Sequence, residues 1–141
     1  MKQLLICSFL VLIIAACGNK NSKNFDSKTY EQTKETLGRK EKSTPLYFLT
    51  VTGVDKRRGL FGTTVYKGTI HNKATVVAYK NVRVKLIYFN SQGKQTANHE
   101  EEFEVVINPG DDFTFKAKYH TPKGTDSVAA FIMRVKVVGG E

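Results

Sequence analysis

The residues of this 141-residue chain whose types could hold a metal ion or move a proton are His71, His99 and His120, with Asp111, Asp112 and Asp126 as nearby carboxylates. Zinc sites bring their ligands together by short recurring spacings on one turn or helix face, and these residues show none. His71 falls at a strand end, His99 in a later strand and His120 in a loop, so the alternative of a small metal-dependent hydrolase using the histidines has no local constellation behind it. The run Asn108-Pro109-Gly110-Asp111-Asp112 lacks the alternating oxygen ligands of a calcium loop and reads as a turn. Nucleophilic catalysis fares no better. No G-x-S-x-G elbow occurs, and Ser127 directly follows Asp126, so in a strand the two point to opposite faces. The expectation is a non-enzyme with no cofactor and no metal.

Charge is the stronger chemical signal. The chain carries 22 Lys and Arg against 13 Asp and Glu, a net charge of +9, which favours anionic partners. Its sharpest local feature is Asp55-Lys56-Arg57-Arg58-Gly59-Leu60-Phe61-Gly62, where Lys56, Arg57 and Arg58 precede two large apolar residues, Leu60 and Phe61. Read as a loop between the first two strands, it is a candidate contact for anionic lipid, an anionic envelope polymer or an acidic protein partner. The opposing reading is a solvated basic turn with Leu60 and Phe61 tucked under the sandwich edge. Ile87 and Phe89 form a second candidate contact on the outer face of the third strand.

What positions these residues starts with the leader. Met1 to Cys17 reads MKQLLICSFLVLIIAAC, one cation followed by an apolar run that is too short for a membrane span of roughly 20 residues, and so a secretory signal peptide over 1–16. Ile14-Ala15-Ala16-Cys17 resembles the lipobox of bacterial lipoproteins, which implies cleavage before a diacylated cysteine and a lasting attachment of Cys17 to the lipid bilayer. Cys7 would leave with the leader, so no intramolecular disulfide is expected. Gly18-Asn19-Lys20-Asn21-Ser22-Lys23 carries no acid, unlike the lysine-then-acid sorting signal of Bacteroidota-type surface lipoproteins, which implies a periplasm-facing anchor in the cell envelope. Nucleic acid is not an expected partner of an exported, anchored chain.

Residues 17–44 read as the lipidated cysteine and a flexible polar linker, with seven Lys or Arg against four Asp or Glu from Gly18 to Thr44. As a coil the linker would span about 26 to 31 Å. The most order it offers is a short, poorly amphipathic helix over Lys28 to Gly38.

From Pro45 to Glu141 the pattern becomes short alternating runs of Val, Phe, Tyr, Thr and Ile separated by Gly, Asn, Pro and Asp. Strands are expected near 46–53, 64–71, 79–89, 94–107, 112–119 and 128–137. The fold class is therefore all-β, a two-sheet immunoglobulin-like sandwich of six to seven strands, and a chain of this length is no multidomain enzyme. Val82, Val84, Leu86 and Tyr88 form one core face. If Asn90 pairs with Gly93, Leu86 opposes Ala97, Val84 opposes His99 and Arg83 opposes Glu100. That register points Glu101 inward, so a bulge is expected between His99 and Glu102.

Val65-Tyr66-Lys67-Gly68-Thr69-Ile70-His71-Asn72, the run Tyr79 to Asn90, Gly93-Lys94, Asn108-Pro109-Gly110 and Phe113 together resemble the FxLYD-type domain over roughly residues 64 to 137. The resemblance implies an immunoglobulin-like or fibronectin-III-like sandwich serving as a non-enzymatic binding or assembly module of bacterial envelope proteins. It implies no catalytic residue.

Overall fold

The alternation around Val82 to Tyr88 does what its period requires: these side chains are buried, and the strand carrying them forms the centre of a sheet. A computed structural model describes residues 26–58 and 62–139, with the backbone alone for Arg57 and Arg58. Helix α1 (Ser27–Ser43) leads through a 3-10 turn (Pro45–Phe48) into β1 (Leu49–Arg58), β2 (Thr63–Asn72), β3 (Tyr79–Phe89), β4 (Gln95–Ile107), β5 (Asp112–His120) and β6 (Ser127–Val137). The strands form two antiparallel sheets in the orders β1-β2-β5 and β4-β3-β6. Pairing β1 with β2, β2 with β5 and β3 with β6 is the A–B, B–E and C–F arrangement of an immunoglobulin-like sandwich, here with β4 added beside β3.

The core lies between the sheets. Tyr66, Ile70, Phe115 and Ala117 from one sheet meet Tyr79, Val82, Val84, Leu86, Tyr88 and Ile107 from the other, and Phe103 packs its ring 4.6 Å from that of Phe115. Tyr79 and Val82 both face inward although an uninterrupted strand would send them to opposite sides. Asn81, with φ of 53°, breaks the alternation, and the register shifts there against both neighbouring strands. Gly68 is required by close approach, since a Cβ there would run into the Phe115 ring on the neighbouring strand.

Two expectations are corrected by local hydrogen bonds. In the β3–β4 hairpin the Gly93 amide donates to the Asn90 carbonyl and the Asn90 amide to the Lys94 carbonyl, while the Asn90 carboxamide accepts from the Gln92 and Lys94 amides. A further irregularity between Tyr88 and Phe89 then places Leu86 opposite His99, Val84 opposite Glu101 and Arg83 opposite Glu102, two residues away from the expected pairs. The shift is even, so the core face is unchanged and Glu101 does point inward, at a half-buried edge position. The bulges lie near Gln95–Ala97 and Phe103–Val106, not at His99–Glu102.

The second correction is the linker. Ser27–Ser43 is helical, not coil. Asp26 caps it, accepting from the Lys28 amide at 3.0 Å and the Thr29 hydroxyl at 2.7 Å. The helix is poorly amphipathic because it buries a single side chain, Glu41. Among the described residues no helix is long and apolar enough to cross a membrane.

Candidate functional site

Two features outside the core are built well enough to serve a function. The first joins α1 to the sandwich. Glu41 is 1% exposed, and its carboxylate accepts from the Thr75 amide and hydroxyl at 2.8 Å each and from the Val76 and Val77 amides at 3.0 Å. Burial alone would push this carboxyl up, but the donors from Thr75, Val76 and Val77 outweigh it and hold the group below its ordinary value. Tyr79 donates its hydroxyl to the Glu41 carbonyl at 2.9 Å, and its own ionisation is pushed up to about 12 by burial and by Glu41. The segment receiving Glu41 is held in turn by Asn72, which is fully buried. Its carboxamide donates to the Val77 and Ile107 carbonyls and accepts from the Ala74 amide. Within α1 Glu41 is buried and Gly38 half-buried while the other residues are exposed, so the helix meets the sandwich through its C-terminal part.

The second feature is the outer face of the β1-β2-β5 sheet. In β2 the outward residues are Val65, Lys67, Thr69 and His71. Antiparallel pairing sets Lys56 and Lys118 on either side of Val65, Val54 and Lys116 on either side of Lys67, and Thr52 and Thr114 on either side of Thr69. Lys56, Lys67, Lys116 and Lys118 are all exposed. Among the described residues none of these four lysines has a carboxylate within ion-pair distance. Among the described residues the one acid on this outer face is Asp112, which sits past the threonine row and is bonded at 2.6 Å to His71.

The basic cluster expected on a loop is thereby relocated. Lys56, Arg57 and Arg58 belong to β1, which continues beyond Gly53 because the chain pairs with β2 as far as Arg58 and Thr63. Lys56 joins the lysines of β2 and β5 on one face. Leu60 and Phe61 lie outside the described residues, as does Cys17, and the side chains of Arg57 and Arg58 are likewise not described.

The histidines are not brought together. His71 pairs with Asp112 at the start of β5 and His120 ends the same strand, which separates them by about 27 Å, while His99 belongs to the other sheet. Among the described residues no group of three His, Cys, Asp or Glu could hold a metal ion. Asp111 accepts from the Asn108 carboxamide at 3.0 Å within the β4–β5 turn. Ser91 and Lys94, which have Ser-x-x-Lys spacing, are both exposed in the β3–β4 turn. The buried tyrosines are no bases: burial pushes Tyr88 up to about 12 and Tyr119 further still, so both stay protonated near neutrality.

On the opposite sheet Ile87 lies half-buried beside Ala129, with Phe131 and Met133 exposed on the neighbouring strand β6. Two of the charges of β3 are paired with β4, while across β3 and β6 Lys80 stands opposite Lys136 and Arg83 opposite Arg134. Arg83 binds Glu102 at 2.7 Å and Lys85 binds Glu100 at 3.3 Å.

No protein-family model matches this chain, and no curated protein matches it. Among solved structures, a DUF1425 family member from Shewanella sp. pv-4 superposes with a TM-score of 0.45 at 11% identity, covering 61% of this chain and 77% of that one. The trimeric lipoprotein SadB of Salmonella enterica superposes with a TM-score of 0.43 at 12% identity, covering 75% of this chain and 72% of its own. Likeness at this level assigns no role to any residue.

Proposed function

We propose that this chain is a bacterial cell-envelope lipoprotein, anchored to the bilayer through acylated Cys17, whose sandwich acts as a non-catalytic binding or assembly module facing the periplasm. The observation that carries the reading is the Glu41 buckle. Ile14-Ala15-Ala16-Cys17 supplies the anchor, and α1, about 26 Å long, is a stiff spacer fastened at its C-terminal end to the β2–β3 segment. A coil would let the domain tumble on its tether. A buckled helix keeps one end of the sandwich turned toward the tether, which suits a module that must present one face.

Mass spectrometry of membrane-extracted protein tests the anchor, with a mature N-terminus at Cys17 carrying acyl chains as the expected result. A Cys17→Ser chain that is still matured and still membrane-bound overturns it. Protease added to intact cells tests the orientation, and digestion of the sandwich from outside overturns the periplasmic placement.

A further inference from the structure

We infer that the outer face of the β1-β2-β5 sheet binds a linear polyanion, a flexible polymer bearing phosphate or carboxylate groups, with Lys56, Lys67, Lys116 and Lys118 as its cation contacts. The inference rests on reading the sandwich as a binding module, and only its choice of a polymer over a membrane uses the lipid anchor.

Three observations converge on that face. The lysines form a close patch: Lys67 and Lys116 sit directly opposite on neighbouring strands, about 4.8 Å apart at the backbone, and Lys118 follows Lys116 by about 7 Å along β5. Like charges directly opposite in a sheet destabilise it; the other sheet also faces Lys80 with Lys136 and Arg83 with Arg134 across β3 and β6, but there β4 brings Glu102 against Arg83 and Glu100 against Lys85. Among the described residues no acid does the same for Lys67 and Lys116 on the β1-β2-β5 face. Beside the lysines runs a row of hydroxyls, Thr52, Thr69 and Thr114, with the Thr69 and Thr114 oxygens 3.4 Å apart, ready to donate to anion oxygens between the ammonium groups.

Position separates a polymer from the anchoring bilayer. The helix joins the sandwich at the end where Asn72 and Ala74 lie, whereas Lys67 is set back along β2 by about 17 Å and Lys118 lies further still. A flat surface at the free end of the helix meets the near end of the sandwich first. An extended polymer can lie across the three strands, and its charges replace the missing carboxylates.

The test uses the full chain in neutral detergent and long-chain inorganic polyphosphate, followed by fluorescence anisotropy at 50 and 200 mM salt. With four cation contacts and a slope near that of single-stranded polyanions, affinity should fall about 50-fold over that range. The Lys67→Gln/Lys116→Gln/Lys118→Gln chain should bind at least tenfold more weakly and lose only about threefold over the same salt range. A Lys28→Gln/Lys34→Gln/Lys40→Gln chain, with the same charge removed from α1, should bind within twofold of the parent. Equal losses in the two triple variants, or binding to phosphatidylglycerol vesicles with none to polyphosphate, overturns the inference. A Cys17→Ser chain should bind the polymer as the parent does, which reads failure of the anchor separately from failure of the face.

Discussion

Tyr79 and Glu41 are joined through the backbone: the tyrosine hydroxyl donates to the Glu41 carbonyl at 2.9 Å while the Glu41 carboxylate is sequestered by the segment just before Tyr79. Strand β3 and helix α1 are therefore one mechanical unit. Replacing Glu41 with Ala leaves the Val76 and Val77 amides without their acceptor and removes the sole buried side chain of the helix. The expected cost is about 2 to 4 kcal/mol, seen as faster hydrogen exchange at Val76 and Val77 and a lowered melting temperature. Glu35→Ala, which removes an exposed helix ion pair with Arg39, should stay within about 0.5 kcal/mol of the parent. Unchanged exchange at Val77 in the Glu41 variant would contradict the buckle.

The same carboxylate makes the docking acid-labile. Its folded pKa is depressed below the ordinary 4.5, so its stabilisation is fully present above that value and is lost as pH falls through the lowered one. The protection factor of the Val77 amide, its exchange relative to the intrinsic rate at each pH, should fall below about pH 4.5 when followed from pH 6 to pH 3. Glu102, held down by Arg83, and Asp26, held down by Thr29, titrate in the same window, but both are exposed and far from this contact. Glu41→Gln isolates the effect: its protection factor at Val77 should be lower at pH 6 and nearly flat across the range. A parent and variant with parallel pH profiles would assign the acid lability elsewhere.

The strands were legible because each carries its own alternation, and the inward set Val82, Val84, Leu86 and Tyr88 is readable without knowing any partner. Register was less so. Asn90-Ser91-Gln92-Gly93 announces a turn, and the Gly93 amide does bond the Asn90 carbonyl, but the strand register follows the further bond from the Asn90 amide to the Lys94 carbonyl, with the Lys94 amide held by the Asn90 carboxamide. Glu41 left no local trace, since its donors lie 34 to 36 residues onward. The lysine face was half visible: Thr114, Lys116 and Lys118 alternate outward in the sequence, yet only the pairing of β2 with β5, distant in the chain, sets Lys67 beside them.

The Gly68 to Asn72 motif acquires a physical reading that mutation can check. Asn72 donates to two carbonyls and accepts from one amide while fully buried, so Asn72→Ala strands all three groups and should cost about 3 to 5 kcal/mol in denaturant unfolding. Gly68→Ala drives a methyl into the Phe115 ring and should cost about 1 to 3 kcal/mol. Pairing Gly68→Ala with Phe115→Leu should cost less than the sum of the two single changes, because the clash disappears with the ring. Strict additivity would mean that Phe115 is not what excludes a side chain at Gly68.

The lysine face predicts stability and binding moving in opposite directions. Lys67 stands directly across from Lys116 with no acid beside it, so Lys67→Glu converts a repulsive cross-strand pair into an attractive one. Such pairs contribute roughly 0.2 to 1 kcal/mol, and the melting temperature should rise by that equivalent at low salt, with the gain shrinking as salt is added. Polyphosphate binding should fall at the same time, because the substitution removes one cation contact and sets an anion at the centre of the patch. Lys85→Glu on the other sheet is the contrasting case: it breaks the pair with Glu100 and places two acids together, so stability should drop while polymer binding holds near the parental value. If Lys67→Glu instead lowers the melting temperature and leaves polymer binding intact, the four lysines are a solvated face with no role in recognition.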